Sequence, residues 1–197
     1  MDRLTRILNS RFLLWLILAC PIFWLANAWR ASDLFYGEML HVSGELSARL
    51  LIVTLAITPL RLMFPDAVWP SWMLRRRRYF GVASFVYATL HTLIYLDRKQ
   101  TLDLVIREAA DFSMWTGWVA LMIFIILAIT SNDTSVRRLK RTWKKIHRWV
   151  YFAALLSFIH WIFVAFDFMT GLIHFLVLLS LEFYRVWKRK KINSHAN

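Results

Sequence analysis

One cysteine, Cys20, is all the thiol this chain has. A disulfide framework, a cysteine zinc site, an iron–sulfur cluster and a covalent C-x-x-C-H haem attachment each need more, so none can be built from this chain alone. Glycine is scarce too. Gly37, Gly44, Gly81, Gly117 and Gly171 are scattered, and they form neither a G-x-G-x-x-G fingerprint nor a P-loop, so no nicotinamide- or nucleotide-binding domain is recognisable. Acidic residues number 12 against 25 Lys and Arg, a formal net charge of +13. In a soluble chain that balance points to nucleic acid. Here 59% of the residues are hydrophobic and 11 are Trp, too apolar for a solvated surface, so the partner to expect is membrane lipid and not nucleic acid. Polar stretches long enough to fold as a second domain are also lacking.

What is present is a set of apolar runs. Nearly uncharged stretches cover residues 12–29, 79–96, 112–130 and 149–166, each close to the roughly 20 residues that cross a bilayer. Two further runs carry charges. Residues 50–60 become a span if they extend back through Arg49 and Glu45 toward His41, and residues 168–187 hold Glu182 and Arg185 near their end. Outside the spans, successive connections carry three, one, five, three, seven, no and five Lys or Arg, with Arg49 inside a span. This alternation puts 20 on one side and four on the other. By the positive-inside rule the chain is all-α, a six-helix membrane bundle with both termini cytoplasmic. Residues 1–11 are then a cytoplasmic N-terminus, 12–187 a membrane domain and 188–197 a cytoplasmic tail. A competing reading takes Arg3, Arg6 and Arg11, the first apolar run and Ala26-Asn27-Ala28 as a signal peptide with a cleavage site. The remaining topology survives it.

Three histidines lie in or beside these runs. An imidazole in hydrocarbon costs free energy unless paired or coordinated, which makes it a functional candidate. At about 1.5 Å of rise per residue, His91 stands roughly 18 Å above the inner end of the third span and His160 roughly 20 Å above that of the fifth. Equal depth on separate helices lets the two occupy both axial positions of one haem, which must be b-type for want of cysteines. His147 falls roughly 20 Å below His160, where an inner redox site would lie. Residues 13 apart on a straight helix point about 140° from each other, so a side shared by His147 and His160 requires tilt or a kink.

The stretches R-R-R-R-Y-F-G-V-A-S-F-V-Y-A-T-L-H (75–91), W-K-K-I-H-R-W-V-Y (143–151) and I-H (159–160) resemble the ferric-reductase-type transmembrane domain over roughly residues 12–187. H-V-S-G-E-L-S-A-R (41–49), I-T-P-L (57–60) and A-I-T-S (128–131) resemble, within it, the haem-binding membrane subunits of periplasmic methionine sulfoxide reductases. The resemblance implies haem b between the third and fifth helices and location in a bacterial inner membrane. It also implies electrons from a cytoplasmic flavin reductase or the quinone pool and delivery to a periplasmic molybdenum reductase. His91 and His160 match the outer ligands, and His147 an inner-site histidine. One departure matters. Two-haem members of the wider superfamily have a second histidine 13 or 14 residues before the position of His91, where this chain has Arg77 and Arg78. Guanidinium is a poor iron ligand but suits a haem propionate or the phosphate of FMN, which puts a second haem in doubt.

Each assignment has a plainer counterpart. His91 and His160 can be satisfied by interhelical hydrogen bonds, and His147 by lipid headgroups in a basic loop. His41 fits an interfacial residue, a propionate partner or a quinone ligand, and Arg49 either pairs with Glu45 one turn away or neutralises propionates. His174 matches nothing in the family pattern, and His195 lies in a polar tail. Beside the electron-transfer subunit two functions stay open: a stand-alone transmembrane reductase of ferric complexes or quinone, and a non-redox transporter or assembly factor with a histidine proton relay.

Overall fold

The computed structural model describes residues 10–31, 34–99, 101–165 and 167–194. Arg3, Arg6, His195 and Asn197 lie outside them, so the N-terminal segment and the end of the tail are not described. All regular structure among the described residues is helical. In hydrocarbon only a helix or a closed barrel satisfies every backbone group internally, and apolar runs of this length select the helix.

Eight helices are described: α1 Arg11–Arg30, α2 Tyr36–Met63, α3 Val68–Lys99, α4 Leu102–Ala109, α5 Phe112–Ile129, α6 Asp133–His147, α7 Trp149–Val164 and α8 Phe168–Ser194. Six are long and apolar enough to cross a membrane, with α6 and α7 together counting as one. The expected six-helix architecture is therefore present, and α2 does run back through Arg49, Glu45 and His41. Some boundaries differ. Arg75 to Arg78 belong to the first turns of α3 and not to a loop, and α8 continues past Trp187 through Lys191. Helices do not stop where hydrocarbon stops, since arginine and lysine are good helix formers in water too. The eight-residue α4 lies in the connection read as a plain loop.

α3 packs mainly on α2, and α7 on α5; α8 closes against α2 and α7, and α1 against α3. Two hydroxyls lock the first pair. Ser47 Oγ donates to the Ser84 carbonyl and Ser84 Oγ to the Ser47 carbonyl, both at 2.9 Å in a buried contact. The α5–α7 pair has the small buried Ala120 and Ala153 instead, which allow close approach. A core of Leu51, Leu55, Phe124, Leu127, Ala154 and Phe158 joins the two pairs. α1 is tied on by Tyr87, whose hydroxyl donates to the Leu18 carbonyl at 2.8 Å in the turn before Pro21. Proline disturbs the helix turn that precedes it, and a neighbouring side chain makes use of that turn here.

Candidate functional site

His91 on α3 and His160 on α7 face each other across the two helix pairs. Their ring centres are 6.2 Å apart and their planes nearly perpendicular, at 88°. Each ring is held from behind by the partner helix of its own pair. His91 Nδ1 lies 2.9 Å from the Leu40 carbonyl of α2, and His160 Nδ1 lies 2.7 Å from the Ser113 carbonyl of α5. A carbonyl only accepts, so in the neutral ring each Nδ1 carries the proton and each Nε2 keeps its lone pair. That is the tautomer a metal ligand requires.

Glycine makes the approach possible. Four residues beyond each acceptor carbonyl stands a glycine, Gly44 after Leu40 and Gly117 after Ser113. A Cβ on Gly44 would meet His91 Nδ1 at 2.9 Å, and one on Gly117 would meet His160 Nδ1 at 2.7 Å and Cε1 at 2.9 Å. Any larger residue would push the imidazole off its carbonyl. The residue before each glycine is a fully buried hydroxyl, Ser43 or Thr116. Both donate to the carbonyl that receives the imidazole, Ser43 to Leu40 at 3.0 Å and Thr116 to Ser113 at 2.7 Å. The same local arrangement thus occurs twice, once per helix pair.

Two histidines alone are too few to hold a bare ion, and the described residues contain no cluster of three or more His, Cys, Asp or Glu suited to one. The pair suits a metal that brings its own equatorial ligands. With metal–imidazole bonds of about 2.0 Å, two axial rings sit roughly 6.3 Å apart centre to centre, close to the spacing here. The residues present therefore fit haem.

The other sequence-predicted residues do not join this pair. His41 is exposed at the outer end of α2, one residue beyond Leu40. Arg49 pairs with Glu45 at 2.5 Å and its side chain is 53% exposed. His147 sits at the inner end of α6. Its ring stacks on Trp143 at 3.9 Å, and its Nε2 lies 3.0 Å from Thr130 Oγ1. The single Thr130 hydroxyl proton goes to the Ile126 carbonyl at 2.7 Å, so Thr130 accepts from His147 Nε2–H. Trp143 Nε1 donates to the Thr130 carbonyl at 2.9 Å and completes a small knot at the inner end of α5. The kink in this part of the chain is at Lys140, with φ of 46°, upstream of His147; Arg148, between the two histidines, has helical φ and ψ.

Arg77 Nε donates to the Thr54 carbonyl at 2.9 Å and Nη1 reaches Thr58 Oγ1 at 3.5 Å. Arg78 pairs with Asp133 at 2.6 Å. Below them Arg185 pairs with Glu182 at 2.7 Å and reaches the Tyr151 hydroxyl. His174 Nδ1–H donates to the Thr170 carbonyl of its own helix at 2.7 Å and packs near Trp161, a structural role.

Sequence reading missed Gly44, Gly117, Ser43 and Thr116. Their signal is present as the dipeptides S-G and T-G, but it acquires meaning only when a histidine from another helix is known to lie against each glycine.

Comparison with known proteins gives the family. Residues 43–158 match the family described as ferric reductase like transmembrane component, an interval that opens at Ser43 and closes two residues before His160. The chain is 36% identical over 157 residues to the protein-methionine-sulfoxide reductase heme-binding subunit MsrQ of Xanthomonas campestris pv. campestris (strain B100), covering 78% of this chain and 70% of the relative. The MsrQ of Rhizobium meliloti (strain 1021) is 41% identical over 126 residues, covering 62% and 56%. No solved structure matches. A match over more than half of its length, with six spans and a facing histidine pair inside them, means that the chain belongs to the ferric reductase-like transmembrane family.

Proposed function

We propose that the chain is a membrane electron-transfer subunit that holds one haem b between α3 and α7 through His91 and His160. The observation that carries this reading is the facing pair, each ring fixed through Nδ1 with Nε2 left for iron. Haem, when bound, supplies one-electron ferric/ferrous chemistry. The protein's part is to present two neutral imidazoles, to hold them with backbone carbonyls, and to exclude larger residues at positions 44 and 117.

Membrane sidedness follows from the basic residues, 20 against four, which place α6, His147, Arg77 and Arg78 on the cytoplasmic side of a bacterial inner membrane and α4 on the periplasmic side. Residues 12–187 form the membrane domain in this reading. Arg77, Arg78 and the basic face of α6 attract an anionic donor, a cytoplasmic flavin reductase, its FMN or a quinol headgroup. The acceptor is a periplasmic reductase: the relatives' name favours a methionine sulfoxide reductase, and the molybdenum chemistry proposed for it rests on the family resemblance alone. A second histidine-ligated haem is not part of the proposal, because Arg77 and Arg78 stand where it would need its ligand.

Purified protein should contain non-covalent haem b by pyridine haemochrome. Reporters fused within residues 132–145 should read cytoplasmic and one near Asp103 periplasmic. In membranes, turnover of a co-expressed periplasmic sulfoxide reductase should depend on this chain. Haem-free purified protein or equal turnover without the chain refutes the function; inverted reporters refute the direction.

A further inference from the structure

Hydroxyl back-bonding within a helix is ordinary, and Thr54, Thr89 and Thr92 all do it here. Ser43 and Thr116 differ in one respect. The carbonyls they bond, Leu40 and Ser113, are the two that receive a histidine Nδ1–H, and both hydroxyls are fully buried beside the glycine that admits the ring. Each carbonyl has two lone pairs but three donors aimed at it: the hydroxyl three residues on, the imidazole, and the helix N–H of the glycine four residues on. We propose that Ser43 and Thr116 are positioning residues, which by competing for these carbonyls limit how far His91 and His160 approach imidazolate character and so hold the potential of the bound haem up.

The sign follows from the competition. Removing the hydroxyl returns lone-pair density to the carbonyl and strengthens the Nδ1–H···O bond. A stronger bond makes the imidazole a more basic ligand, which favours ferric over ferrous iron. The potential should therefore fall. Occurrence of the device in both helix pairs argues against accident, since α2 and α5 share neither the sequence around it nor the Ser47–Ser84 lock.

This inference rests on His91 and His160 being the ligands, and the test separates the two claims. The full chain is purified as wild type, Ser43→Ala, Thr116→Ala, the rescue variants Ser43→Thr and Thr116→Ser, and the control Thr92→Ala. Haem content, redox midpoint and the ferric low-spin resonance spectrum are measured for each. Ser43→Ala and Thr116→Ala should keep their haem. Each should shift the ferric/ferrous equilibrium by about threefold toward ferric, about 28 mV more negative at 59 mV per tenfold, with an altered low-spin signal. The rescue variants and Thr92→Ala should stay at the wild-type midpoint. Unchanged midpoints in both alanine variants, or an equal shift in Thr92→Ala, overturn the inference while leaving the ligands in place. Full haem retention in His91→Ala or His160→Ala overturns the ligand assignment, and the inference with it.

Discussion

The outer histidines and the inner one use opposite ring nitrogens. His91 and His160 spend Nδ1 on backbone carbonyls, and their ring centres lie 6.2 Å apart. His147 spends Nε2–H on Thr130 and lies flat against Trp143. All three contact another helix, and His91 and His147 fall within residues 43–158, which match the family. The proposed ligands thus differ from His147 in the nitrogen that is occupied and in having a second imidazole opposite, a combination that among the described residues His91 and His160 have.

The largest effect should come from erasing the outer end of that contrast. His91→Ala or His160→Ala should lower haem affinity by more than the roughly 10–100-fold that losing an outer-sphere partner costs, read as the haem-to-protein ratio after purification. Next come the glycines. A methyl at position 117 or 44 overpacks the ring for about 1–3 kcal/mol, so Gly117→Ala and Gly44→Ala should each weaken haem retention about tenfold, with Gly117→Ala the more severe because its contact is closer. An unchanged haem off-rate in both would show that the rings do not need this approach.

A smaller effect sharpens the difference between the helix pairs. Ser47→Ala or Ser84→Ala removes one of two reciprocal hydrogen bonds worth about 1 kcal/mol each, and should lower the thermal midpoint by about 2–4 °C. Enlarging Ala120, the α5 counterpart of Ser47, should act by clash instead. The smallest effect concerns α4. Glu108 is held below its ordinary pKa first by the Lys99 ammonium and then by the Tyr95 hydroxyl. A depressed carboxyl lends its stabilisation above its unfolded value of 4.5 and loses it as pH falls through the lower folded value. Acidification below about 4.5 should increase hydrogen exchange in α4 while the haem spectrum stays constant. Exchange in α4 that does not change with pH would remove Glu108 from that role.

Much of this was readable in the chain. Apolar runs locate the spans because a bilayer sets their length, and rise per residue alone brings His91 and His160 to one depth. Trp143 and His147 sit four apart, a spacing that predicts their stack. The carbonyl partners were not readable, since Leu40 and Ser113 are chosen by interhelical register. Ser47, Ser84, Ala120 and Ala153 set that register, and it leaves no periodic trace. Arg77 was read as a charge suited to a haem propionate or a flavin phosphate, and its partners Thr54 and Thr58 of α2 were not readable. The eight-residue α4 is too short for apolar periodicity to declare itself.

The account's central claim is that one end of this bundle ligates and the other does not. Pyridine haemochrome stoichiometry on wild type and His147→Ala, with the ferric low-spin spectrum of each, tests it most directly. About one haem b per chain in both, with an unchanged low-spin signal, is the expected result. Two haems per chain in the wild type, falling to one in His147→Ala, would contradict it.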